Sequence, residues 1–188
     1  AFILQSSSAD QGLCLILVPA AGFIFKSPVH NHISDGQYGT LFLALIGGVI
    51  PVTFLIKVFL RTIGRKKIFY LGIFHNIFYL ILLTVAEQAK SQSFGFAALL
   101  FSNFCLGVGF GLWVSVLNLL SIELFPENRN AVITGLHASL GVGAATAPLL
   151  VSFLYSRGMW MNGLISLALF LIFFAAGTYF FKPVPSAP

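Results

Sequence analysis

The chain has 188 residues, of which 58% are hydrophobic and only 8% charged, with a formal net charge of +5. A soluble domain carries about 25% charged residues, so these proportions exclude a water-soluble globule. The basic residues sit mainly at the ends of apolar segments, which turns the positive balance from a nucleic-acid signal into one of membrane topology.

Membrane spans need about 20 mostly apolar residues, and six candidates appear, at 2–25, 37–60, 68–86, 94–122, 131–155 and 160–181. The first is interrupted by Ser6, Ser7, Ser8, Asp10 and Gln11. It starts at either Phe2 or Ala9. The chain opens on Ala1 rather than Met, so either a leader is missing or the chain is part of a longer one. The opening lacks the basic region of a signal peptide. Linker 26–36 holds Pro28, Asn31, Asp35 and two histidines, linker 87–93 is short and polar, and Pro126 marks a helix end. The prolines of 182–188 stop the last helix. The expected fold is therefore all-α: one polytopic membrane bundle over 1–188, with six transmembrane helices.

Orientation follows from Lys and Arg. One side holds Lys57, Arg61, Arg65, Lys66, Lys67, Arg129 and Lys182, and the other holds Lys26, Lys90 and Arg157. Seven against three puts the first side, with both chain ends, in the cytoplasm.

The chemistry within the spans is sparse. Cys14 and Cys105 lie in apolar runs and form neither a ligand set nor a disulfide framework, so no metal or cofactor is implied. The sequence has no phosphate-binding loop, zinc-ligand spacing or nucleophile elbow, and no enzyme is expected. An ionisable group in hydrocarbon costs roughly 2.5–3.5 kcal/mol, which makes it a functional candidate. Asp10 is the one acid well within a span: near its middle if the helix starts at Phe2, at its entrance if at Ala9. His137 lies about two turns into the fifth span. Asn103 and Asn118, fifteen residues apart in the fourth, are four turns apart and can share a face. These four are the candidate solute or proton contacts. His75 and Asn76 read as packing or lipid-interface groups, Trp113 as packing or a stacking platform, and Trp160 as an interface anchor.

Arg61-Thr62-Ile63-Gly64-Arg65-Lys66-Lys67 follows the second span, where a glycine permits a tight turn and the cations anchor it among headgroups. It resembles the loop between helices two and three of the major facilitator superfamily, Gly-x-x-x-Asp-Arg-x-Gly-Arg-Arg. Arg61, Gly64, Arg65 and Lys66 match; Ile56 replaces the first Gly and Leu60 the Asp. The resemblance implies a cytoplasmic gate for the matching residues. It also implies an Asp-centred charge relay that Leu60 cannot supply.

The likeness continues in Ser34-Asp35-Gly36-Gln37-Tyr38-Gly39 and in Gly107-Val108-Gly109-Phe110-Gly111. Asn103 stands where the family often has Arg. Glu123 to Arg129, leading into Gly135-Leu136-His137-Ala138-Ser139-Leu140-Gly141-Val142-Gly143 and on to Ala147-Pro148, is similar to the family's join of helices four and five. It carries a narrower likeness to the fucose-permease-like branch. Gly107, Gly109, Gly111, Gly141, Gly143 and Pro148 are expected at helix contacts.

Asp10, the second-helix opening and the fifth-helix pattern favour the N-terminal half of such a transporter; Leu60 and Asn103 point to the C-terminal half. The resemblance implies alternating access against a second six-helix bundle, with a small polar, sugar-like solute near the midplane. The rival expectation is a half-transporter kept as a structural or assembly subunit of a membrane complex. The partners implied are the lipid bilayer, the second bundle and the solute, with no nucleic acid.

Overall fold

The computed structural model describes residues 2–180. Lys182, used in the charge count, and the proline-rich end lie outside them. The described residues form seven helices: α1 (Phe2–Ala20), α2 (Gly22–Lys26), α3 (Asp35–Thr62), α4 (Arg65–Glu87), α5 (Gln92–Leu124), α6 (Arg129–Ser156) and α7 (Trp160–Phe180). With α1 and α2 taken together, six spans are long and apolar enough to cross a bilayer. The first span begins at Phe2, which sets Asp10 well inside it.

Local chemistry explains the boundaries. Pro19 lies in the last turn of α1 and lacks an N–H donor, and the helix breaks at Ala21 before resuming. Tyr38 of α3 serves the break: its hydroxyl donates to the Pro19 carbonyl at 3.2 Å. Gly22 leaves room for it, since a Cβ there would fall 2.7 Å from the Tyr38 oxygen. Ser34 and Gln37 form a capping box at the start of α3, each side chain accepting from the other's backbone N–H. The turn into α4 depends on Gly64, at φ +84°, a conformation that a residue with a Cβ rarely adopts.

The antiparallel pair α4 and α5 forms the centre, with α3 and α7 on its flanks and α6 beside α1. Close approach replaces the hydrophobic effect between helices in lipid. On α1 and α6, Gly12 faces the Leu140 carbonyl and Gly143 faces that of Ala9. Gly107 of α5 likewise meets Leu45 and Gly48 of α3, Gly111 meets Val52, and Gly109 lies against Asn76 of α4. Trp113 is fully buried, its ring 5.9 Å from that of Phe69 and its Cβ against Gly72, so it packs rather than presenting a platform. Trp160 also turns inward, against Phe25 at 6.3 Å, instead of anchoring at the interface.

At the end remote from the basic loop, segment 27–34 is strapped to the α4–α5 turn. His30 Nδ1 lies 2.6 Å from the Glu87 carboxylate, whose side chain is 2% exposed. Asn31 donates to the Ala86 carbonyl at 2.8 Å. Tyr155 of α6 meets both the Phe23 and His30 rings.

Candidate solute pocket and basic-end gate

Helix backbones satisfy themselves in a bilayer, but each polar side chain must find its own partner. Several here do so within one turn. Thr53, Thr84, Asn103, Ser115, Ser121 and Thr146 each donate to the carbonyl four residues back, a pattern open to Ser and Thr in apolar helices. His75 Nδ1 donates likewise to Leu71. Asn118 and His137 make no hydrogen bond among the described residues.

Those two groups share the lining of one crevice. Ser8 of α1, Asn118 of α5 and His137 of α6 line one small pocket, closed by Val114, Leu117, Leu136 and Leu140. Ser8 donates to the Leu136 carbonyl at 2.6 Å, so its hydroxyl is held while its lone pairs remain. His137 is the exposed member of that lining. At 1.5 Å per residue, His137 stands about 12 Å from the start of α6, in the basic-end half of that 28-residue helix.

Asp10 does not join them. It lies two residues after Ser8, about 200° further round α1, and borders a separate crevice with Leu13, Cys14 and, from α7, Leu167, Phe170 and Leu171. Its Oδ2 is buried without a hydrogen-bond partner. Asn103 is buried and donates to its own helix at 2.9 Å. The four residues expected to share a cavity thus divide: Asn118 and His137 together, Asp10 facing α7, Asn103 inside the bundle.

At the basic end, Arg65 donates to the Glu123 carboxylate, joining the start of α4 to the end of α5. Lys66 sits over the Tyr179 ring at 4.6 Å. Arg61 is exposed, and Leu60 packs against the core. An acid–base contact therefore exists at this turn, carried by Glu123 rather than by position 60.

Among the expected packing positions, Gly107, Gly109, Gly111 and Gly143 lie at helix contacts, whereas Gly141 has nothing within 4 Å. Pro148 is exposed, and its neighbour Ala147 makes the buried contact. Both outward positions belong to a broad open surface. Of the 28 residues of α3, only Leu41, Gly48 and Val52 are buried, and α6 buries only Leu136, Gly143, Ala147, Val151 and Leu154.

Sequence reading missed Gln11, taken as an interruption. It is fully buried and accepts from Asn76 Nδ2 at 2.7 Å. Asn76 accordingly faces the interior rather than lipid. Ser8 was missed as well, and its signal was available: it falls on the same face of α1 as Gly12, one turn away.

A family model described as Major Facilitator Superfamily matches residues 8–188. No curated protein and no solved structure matches the chain.

Proposed function

The chain belongs to the major facilitator superfamily, and we propose that it forms one half, the N-terminal one, of a secondary transporter for a small polar, sugar-like solute. It is a multi-pass membrane protein of a transporter family. The reading within that family rests on Asn118 and His137. They are polar side chains from two helices, without hydrogen bonds of their own among the described residues, on one crevice of about 10 Å³ that must widen as the bundles move to take a solute. Amide and imidazole can donate and accept without fixed charge, which suits the hydroxyl groups of a neutral solute.

Transport follows by alternating access. The open surfaces of α3 and α6 receive a second six-helix bundle, and the pocket is exposed to each side as the bundles rock. The basic end, with both termini, faces the cytoplasm. Arg61, Gly64, Arg65 and Lys66 form the gate there, with the Arg65–Glu123 pair in place of the family's Asp. Asp10, on the opposite side of α1 from the pocket, carries a coupled proton in symport rather than touching solute.

Uptake of a panel of labelled neutral sugars and polyols into proteoliposomes tests this reading. One or more should enter saturably when the chain is paired with its second bundle, and residues 1–188 alone should carry none. Asn118→Ala and His137→Ala should each cut uptake at least tenfold at limiting solute. Uptake unchanged in both variants would sink the pocket assignment, and a monomer of this chain that transports would sink the half-transporter reading.

A further inference from the structure

Gln5 precedes Ser8 by one turn on the same face of α1. Its side chain is half-buried and reaches across to α6, where a Cβ on Gly135 would lie 2.9 Å from Gln5 Nε2. The amide makes no hydrogen bond among the described residues. It shares that property with Asn118 and His137.

Its level in the bundle is informative. Helices α1 and α6 run in the same direction, since Ser8 meets Leu136, Gly12 meets Leu140, and Phe23 meets Tyr155. Gln5 and Gly135 therefore both lie between the Ser8–Asn118–His137 pocket and the basic end. The missing side chain of Gly135 leaves room for the amide against α6, just outside the pocket's lining.

We propose that Gln5 is the threshold residue of this pocket: its amide hydrogen-bonds uncharged polar solutes crossing between the pocket and the basic end, and its bulk sets how readily they cross. Gly135 is the seat that holds it aside. This rests on the pocket assignment made above. It adds a positioning residue and a direction of passage. The Gln5 amide supplies one donor group and one acceptor to a solute leaving Asn118 and His137, so the passage stays polar without a charge that would trap an ion.

The test measures access with a chemical probe. In a Cys14→Ala/Cys105→Ala background, Asn118→Cys is reacted with a water-soluble methanethiosulfonate ethyltrimethylammonium reagent in right-side-out and inside-out vesicles. The basic face is identified by labelling of Thr62→Cys. From that face, Gln5→Ala should raise the labelling rate at least threefold and Gln5→Trp should lower it at least tenfold. Gly135→Val should also lower it by unseating Gln5, and adding Gln5→Ala should restore it. Rates within twofold of the parent in both Gln5 variants, with normal Thr62→Cys labelling, would overturn the Gln5 assignment and leave the pocket standing. No labelling of Asn118→Cys in the parent from either face would instead remove the pocket itself, and Gln5's role with it.

Discussion

The side-chain amides of Gln11 and Asn76 meet inside the bundle, Asn76 donating to Gln11 at 2.7 Å across 65 residues of sequence. The bond fixes the first span against the third at the level where Gly109 of α5 makes room for the Asn76 oxygen. Hydrogen bonds between membrane helices average about 0.6 kcal/mol and reach about 1.7 in double-mutant cycles. We expect Gln11→Leu and Asn76→Leu each to lower the detergent melting temperature, because each leaves a buried amide bare. The double variant should recover part of the loss, with a coupling of about 0.6–1.7 kcal/mol. Strictly additive losses would show that the pair contributes nothing as a pair.

Gly143 and Gly141 provide a contrast on one helix. A Cβ on Gly143 would run into the Ala9 backbone, whereas Gly141 has open space around it. Overpacking costs about 1–3 kcal/mol, so Gly143→Ala should destabilise by that amount or more. Gly141→Ala should be neutral or slightly stabilising, since alanine is the better helix former by about 1 kcal/mol. Thermal unfolding of the two variants in the same detergent is the measurement. Equal losses would contradict the packing of α1 on α6.

Asp10 faces α7 and not the pocket, so the coupling role proposed for it can be tested apart from solute binding. Asp10→Asn keeps the shape and removes the proton site. It should abolish uphill accumulation while leaving solute exchange within about threefold of the parent, an effect of under about 1 kcal/mol on the exchange barrier. Counterflow and gradient-driven uptake in the same proteoliposomes distinguish the two. Retained accumulation would return Asp10 to a packing role.

The Arg65–Glu123 pair is about one-third exposed on each side, and such pairs contribute about 0–1 kcal/mol to stability. Arg65→Glu and Glu123→Arg should therefore shift unfolding little but impair transport severalfold, each placing like charges together at the gate. The charge-swapped double variant should recover at least half of the parent rate. If it does not, the pair has no role in gating.

Sidedness can be read at Val29 and Thr62. Val29 is exposed in the strapped segment, while its neighbour Asn31 is buried and hydrogen-bonded, so Val29→Cys is the informative position. On a cysteine-free background in intact cells, it should react with an impermeant thiol reagent and Thr62→Cys should not. The reverse pattern would invert the orientation argued from the positive-inside count.

Much of the architecture was legible in the residues alone, because a bilayer imposes local demands. A span must be long, apolar and helical whatever its neighbours are. Thus the six spans, the Gly64 turn and the glycine-dense α5 could be read without knowing what packs where. Which way a side chain finally points is a property of neighbours. Ser8 and Asp10 stand two residues apart and look equally polar, yet only the docking of α6 on α1, and of α7 on α4 so that it borders α1, makes one a pocket wall and the other a crevice residue. In the same way Gln11 reads as a flaw in an apolar run until Asn76 is brought beside it. Gly141 and Gly143 become different only when Ala9 closes on one of them. Hydrogen bonds and close contacts between helices depend on azimuth and register, and only the tertiary packing of the bundle decides those.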